Sequence, residues 1–194
     1  ALADKYNALL IFDEIRSGFR CSIGGAQKYF GVTPDLSTFG KAMANGYAIA
    51  ALVGKKDPMM MLAEKVFLSS TFFPNSDSIV AALKTIEIMQ RDNVLDVIRQ
   101  KGDKFAIDVQ KVVDESGIPA EFSGAPWMPF ITFSKDEAGL YKKLRTEFYT
   151  QLIRRKVFLQ PYHHGYICYR HTDEDLAYTV GAIRESFGEL KRLM

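Results

Sequence analysis

Residues 8–13 read Ala8-Leu9-Leu10-Ile11-Phe12-Asp13 and continue as Glu14-Ile15-Arg16-Ser17-Gly18-Phe19-Arg20. A continuous apolar run of strand length suits a strand covered on both faces of a parallel sheet. The run ends in a carboxylate, and α/β proteins place their chemistry at the C-terminal ends of such strands. Upstream, residues 1–7 read as the last turns of a helix. Downstream, residues 16–34 are rich in glycine and polar groups and read mostly as loop. Residues 34–40 contain a second short strand and residues 48–53 a third. Three strands are too few to cover both faces of a parallel sheet. The reading therefore expects further sheet partners upstream of Ala1 or in another chain. The N-terminus has no starting Met and no signal-peptide layout, which points to a piece of a longer polypeptide.

Beyond the third strand the period changes. Residues 57–64 predict a short helix with Pro58 in its first turn. A long helix follows Asn75, with Ile79, Leu83, Ile86 and Met89 at helical spacing. Another starts near Val94, carries Ile98, Phe105, Val109 and Val112, and stops near Gly117 and Pro119. Residues 128–133 predict a strand and residues 140–155 a helix with Leu144, Phe148 and Leu152 on one face. Residues 157–160 and 166–169 predict two short strands. Thr172-Asp173-Glu174-Asp175 resembles a capping box opening a last helix, with Leu176, Val180, Ile183, Phe187 and Leu190 inward. The chain thus divides into an α/β part, 1–90, and an α+β part, 91–194.

Bulk properties narrow the function. The 194 residues carry 25 Lys and Arg against 23 Asp and Glu, a net charge of +2. That balance makes no electrostatic case for nucleic acid or an anionic membrane as partner. No apolar run reaches the length of a membrane-spanning helix. The cysteines, Cys21 and Cys168, lack metal-ligand spacing and fit a reducing cytoplasm.

Single residues carry little weight alone. Asp13 at the end of a buried strand is costly unless paired, and a cationic nitrogen heterocycle would pair it. Taken alone, it reads better as a cap on the backbone amides that follow. Lys41 lies past the second strand among the small residues Gly40, Ala42, Ala44 and Gly46. Held out of water, its amine would be a neutral nucleophile, although most lysines are solvated. Thr71, after Ser69-Ser70, precedes a helix, where hydroxyls and amides make a phosphate site or an ordinary turn. Gly24-Gly25 lacks the Lys-Ser/Thr tail of a phosphate loop. His163, His164 and His171 lack helical ligand spacing with carboxylates and read as structural. Trp127 reads as core or edge packing.

The combination is more specific. Asp13-Glu14-Ile15-Arg16-Ser17-Gly18 is followed by Gly24-Gly25-Ala26-Gln27, then Phe30-Gly31-Val32-Thr33-Pro34-Asp35-Leu36, then Gly40-Lys41 and Ser70-Thr71. This order resembles the class III aminotransferases of fold type I, and within them the glutamate-1-semialdehyde aminomutase-like group. The likeness runs on into Tyr169-Arg170-His171-Thr172-Asp173-Glu174-Asp175. It implies the C-terminal part of a pyridoxal-phosphate (PLP) transferase: a partial large, cofactor-binding domain over 1–90 and an α+β small domain over 91–194. It implies Asp13 bonded to the pyridine nitrogen, Ile15 packed on the ring, and Lys41 as the Schiff-base lysine and proton shuttle. Thr71 matches the threonine that reaches the cofactor phosphate of a neighbouring subunit, so a homodimer with shared sites is implied. The partners implied are a small-molecule amino donor and a carbonyl acceptor.

Two positions depart from the family pattern. Arg16 stands where many members carry the Gln that helps bind the ring oxygen, so it is not counted among the cofactor contacts. Residues 42–47 lack the glycine-rich run of many aminomutases, which tilts the reading to intermolecular amino transfer. Intramolecular transfer of the aminomutase type stays open, as does a non-catalytic fragment lacking the N-terminal half of the site. A nucleotide-binding domain would want a glycine fingerprint where Asp13-Glu14 stands.

Overall fold

The apolar run that begins at Ala8 becomes the short strand β1 (Ile11–Asp13), preceded by one helical turn, α1 (Leu2–Lys5). After the helix α2 (Gly25–Phe30), β2 (Leu36–Phe39) pairs with β1 in parallel, with Asp13 level with Thr38. β3 (Ala51–Gly54) joins β2 antiparallel, so the sheet is mixed, in the order β1-β2-β3. Three further helices follow, α3 (Lys56–Lys65), α4 (Ser76–Arg91) and α5 (Val94–Ser116). Next come the strands β4 (Ala120–Ser123) and β5 (Phe130–Phe133), then α6 (Leu140–Arg154) and α7 (Asp173–Leu190). This computed structural model describes residues 2–67, 69, 71, 73 and 75–194. The chain forms two units, Ala1–Leu95 and Asp96–Met194.

In the first unit the expectation of a parallel sheet is corrected at β3, which runs antiparallel. Among the described residues β1 pairs with β2 alone, and Leu9 and Ile11 are 60% and 56% exposed. An apolar run signals what a strand needs for cover, but the cover has to come from other elements. Helix α2 lies within the stretch read as loop. Its opening Gly24-Gly25 carries no capping side chain, so local sequence gave no helix signal. The turn before β2 is secured by Asp35. Its carboxylate accepts the Leu10 N–H at 2.8 Å and pairs with Lys55 at 2.7 Å. One side chain thus links the approach to β1, the start of β2 and the residue that follows β3. The Lys55 ammonium first, and the Leu10 amide second, hold the Asp35 carboxyl below its ordinary value.

The apolar centre of this unit is Phe19, Phe39, Met43, Ala44 and Ala82, with the two rings edge-on at 5.7 Å. α4 meets it through Ala82, Ile86 and Met89. The expected face is therefore rotated: Ser78 and Ala82 are buried, while Ile79 and Leu83 are exposed with Val80.

The second unit packs long helices on a two-stranded antiparallel sheet of β4 and β5. β4 was not expected from the sequence. α5 buries Ile98, Phe105, Val109 and Val112 as the period requires. Its end is marked by Gly117 at φ +69, the left-handed conformation common just past a helix. α6 contributes Leu144, Phe148 and Leu152, and α7 contributes Ile183, Phe187 and Leu190, all 1% exposed or less. Phe148 meets Phe187 at 4.8 Å and Phe133 at 5.6 Å. Thr172 and Asp175 form the capping box of α7, each side chain bonded to the other's backbone N–H.

Residues 157–160 and 166–169 are not strands. The Val157 N–H is spent on Leu152 O at the end of α6. Gly165 and Ile167 donate to the carbonyls of Pro129 and Trp127, but Pro129 has no N–H to return, so no ladder forms. Trp127 is buried, with the Arg99 guanidinium 5.3 Å from its ring. His164 packs beside Phe130, and His171 Nδ1 accepts the Cys168 N–H at 3.2 Å. Among the described residues no helix is long and apolar enough to cross a membrane.

Candidate active site

Parallel pairing of β1 and β2 brings two chemically distinct residues to one end of the sheet. Asp13 is the last residue of β1, and Lys41 follows the last residue of β2 by two positions. Asp13 Oδ1 accepts the Ile15 N–H at 3.0 Å and a longer contact from Thr38 Oγ1 at 3.4 Å. No bond to Oδ2 is formed among the described residues. Asp13 is therefore both a cap on the amide two residues on and an anion with an oxygen to spare.

Ile15 turns back towards β2. Its Cδ1 lies 3.3 Å from where a Cβ on Gly40 would sit, so the glycine before Lys41 makes room for it. Lys41 opens a single 3-10 turn, Lys41–Met43, with φ +46. A left-handed lysine is uncommon and costs about 1–3 kcal/mol, a kind of strain that gathers at functional positions. The Ala44 and Asn45 amides hold the turn by donating to Lys41 O at 3.3 and 3.2 Å.

Two expectations are corrected. Asp13 and Lys41 are both exposed, so neither is a buried charge and Lys41 is not sequestered by its small neighbours. The end of the sheet opens to solvent, and the small side chains there leave the amine uncovered. Thr71 is an exposed turn residue ahead of α4. Asn75, not Thr71, caps that helix, accepting the Asp77 N–H at 3.0 Å. Among the described residues no hydrogen bond joins Thr71 to Asp13, Ile15 or Lys41, and Ser70 beside it lies outside the described residues.

Sequence reasoning passed over Glu14. Its side chain is fully buried. Its carboxylate accepts the Ala26 N–H at 2.8 Å, the Gln27 N–H at 2.9 Å and the Ser17 hydroxyl. The available signal was the pairing of a second acidic residue with Gly24-Gly25-Ala26-Gln27 downstream. Gly25 has φ +73, and a Cβ there would lie 2.6 Å from the carboxylate. Only glycine allows both the conformation and the approach.

An anion, a branched apolar side chain and a primary amine thus lie on the segments that leave the C-terminal ends of two parallel strands. That set fits a flat, cationic, aldehyde-bearing heterocycle: the spare Asp13 oxygen for a ring N–H, Ile15 for a ring face, Lys41 for the aldehyde carbon. Among the described residues no three His, Cys, Asp or Glu side chains gather to hold a metal.

Comparison with known proteins agrees with this chemistry. The chain is 77% identical, over all of its length, to a 3-aminobutyryl-CoA aminotransferase of Cloacimonas acidaminovorans (strain Evry), and covers 47% of that protein. It is 32% identical over 98% of its length to glutamate-1-semialdehyde 2,1-aminomutase 2 of Bacillus pumilus (strain SAFR-032), again covering 47%. The chain thus spans about half the length of the curated relatives it matches. Among solved structures, the PLP internal aldimine form of the FumI protein of Sphingopyxis sp. MTA144 superposes with a TM-score of 0.88 at 26% identity. It matches 98% of this chain and 45% of its own. A β-phenylalanine aminotransferase of Variovorax paradoxus, at 21% identity and TM-score 0.82, shares the fold over 98% of this chain and 46% of its own. Residues 1–165 match the family described as Aminotransferase class-III, and the chain therefore belongs to the class-III aminotransferases.

Proposed function

We propose that the complete protein is a PLP-dependent aminotransferase that moves an amino group from a donor to a carbonyl acceptor. The observation that carries this reading is the meeting of Asp13, Ile15 and a left-handed Lys41 at the C-terminal ends of β1 and β2. The relative at 77% identity supports a β-amino acyl-CoA thioester as one substrate, the amino group leaving a ketone behind. When bound, PLP supplies the electron sink that makes the substrate's C–H acidic. Lys41 Nζ would hold the cofactor through its aldehyde carbon. As a free amine, Lys41 would take and return a proton at the substrate carbon bearing nitrogen. The Asp13 carboxylate would pair with the pyridine nitrogen and favour its protonated form. Ile15 would supply an apolar surface for one ring face.

On this reading Ala1–Leu95 is part of the cofactor-binding domain and the rest is the small domain. Thr71 bonds the cofactor phosphate of a neighbouring subunit in a homodimer. The unshared edge of β1 and the exposed Ile79, Val80 and Leu83 of α4 support cover by further polypeptide or a second subunit. Cys21 and Cys168 are thiols and not a disulfide, which is compatible with a cytoplasmic setting. Relatives named aminomutases support intramolecular transfer as a second reading.

The complete gene product, loaded with PLP, tests the proposal. Given 3-aminobutyryl-CoA and a 2-oxo acid, it should yield the 3-oxoacyl thioester and the new amino acid, and the Lys41→Ala variant should yield neither. Turnover by Lys41→Ala at the wild-type rate would remove Lys41 from the mechanism. Conversion of a single amino-aldehyde into its positional isomer, without any acceptor, would favour the second reading.

A further inference from the structure

Glu14 has no part in the chemistry above, yet it is the one fully buried acidic residue among the described residues. Its surroundings are built for it. Its backbone N–H donates to Thr38 O at 2.9 Å, and its carbonyl accepts the Gly18 N–H at 2.8 Å. Its side chain takes the first free amides of α2, from Ala26 and Gln27, together with the Ser17 hydroxyl. In every side-chain contact the carboxylate is the acceptor, and both of its oxygens are used. Two glycines permit the arrangement. Gly25 leaves the carboxylate its space, and a Cβ at Gly18 would lie 2.7 Å from Glu14 O and 2.5 Å from the Phe39 ring.

The consequence falls on its two neighbours. The peptide groups on either side of Glu14 carry Asp13 and Ile15. With Glu14 bonded through backbone and side chain to β2, to the Ser17-Gly18 turn and to α2, neither peptide group is free to rotate. The Ile15 N–H is the donor that orients Asp13 Oδ1 at 3.0 Å. The same peptide group sets where the Ile15 side chain lies against Gly40. We infer that Glu14 is the positioning residue of the cofactor site: its buried carboxylate, clamped on the start of α2, fixes the aim of Asp13 and Ile15. The same clamp explains why Asp13-Glu14 and Gly24-Gly25-Ala26-Gln27 occur together in this sequence.

This inference rests on the proposed function, and its test separates the two. In the complete PLP-loaded enzyme, Glu14→Gln keeps size and shape but puts an NH2 donor against a backbone N–H. The expected result is a kcat lowered roughly 10- to 100-fold, as misplacement of a site group costs. KM for the amino donor should stay within about twofold, since substrate contacts are untouched, and the cofactor's visible absorbance band should shift. Ser17→Ala, which removes one donor to the same carboxylate, should move both readouts in the same direction by less. A folded Glu14→Gln enzyme with the wild-type band and kcat, changed only in melting temperature, overturns the inference and leaves a structural role. If Glu14→Gln does not fold, Ser17→Ala decides: an unchanged band and kcat overturn the inference, and a shifted band with lowered kcat supports it. A wild-type protein that develops no cofactor band overturns both readings.

Discussion

The two units of this chain hold their shape by different means. In the first, short strands and turns are secured by carboxylates placed on backbone amides: Asp35 on Leu10, Asp13 on Ile15, Glu14 on Ala26 and Gln27. Its apolar centre is small, and large apolar side chains such as Leu9, Ile11 and Leu83 face solvent. In the second, Leu144, Phe148, Leu152, Ile183, Phe187 and Leu190 form a deep core between α6, α7 and β5, beside the inward residues of α5. Hydrogen bonds are directional and set angles. Apolar burial is not directional and supplies most of the stability. The buried carboxylate of Glu14 is the clearest case of such a directional anchor, and it stands beside the residues proposed to meet the cofactor.

The contrast breaks most sharply at Lys41. Lys41→Ala should lower amino transfer by about 10²–10⁴-fold or more, since it removes both the covalent anchor and the proton carrier. A melting curve of the same variant should stay close to wild type, because an exposed side chain in a strained turn contributes little to folding. Equal loss of stability and activity would erase the distinction between the units.

The reverse dissociation is expected at Phe148, which is fully buried between Phe133 and Phe187. Phe148→Ala should cost about 3–5 kcal/mol in urea unfolding, with the cofactor band of the surviving folded enzyme unchanged. A smaller change belongs to the cap of α7. Thr172→Ala removes one half of the capping box and should cost about 1 kcal/mol.

The smallest effect sharpens the comparison through pH. The Asp35 carboxyl is held below its ordinary value by Lys55 and by the Leu10 amide. Its contribution to stability is therefore complete above the unfolded value of about 4 and fades as pH falls through the lower folded value. Lys55 is held above its ordinary value by Asp35, so its share persists below the unfolded value and is lost only in strong alkali. The unfolding midpoints of wild type and Asp35→Asn should differ modestly at pH 7, and the gap should close in acid. A gap that widened in acid would mean the carboxylate is not held by these partners.

Much of the second unit was legible because its helices are long and their inward faces repeat every third or fourth residue. The periods placed Phe105, Val109, Phe148 and Phe187 inside, and Thr172-Asp173-Glu174-Asp175 announced the start of α7. The first unit was harder. The short strands were visible as apolar runs, but their exposure was not, since cover depends on neighbours that a run cannot name. Ile79 and Leu83 have helical spacing, yet Ser78 and Ala82 face the core because small residues let α4 approach.

By itself, then, the sequence determined the family and the order of the residues proposed to carry the chemistry. An anion ending an apolar run, a lysine just past the next strand and the glycine pair between them are local patterns, readable along one line. Only the tertiary structure decided what those residues touch. Parallel pairing brought Asp13 and Lys41 to one end of the sheet, and the buried Glu14 carboxylate, twelve residues before Ala26, ties the segment between Asp13 and Ile15 to α2. Such contacts join segments distant in sequence, and their strength depends on burial and angle, which residue order does not record.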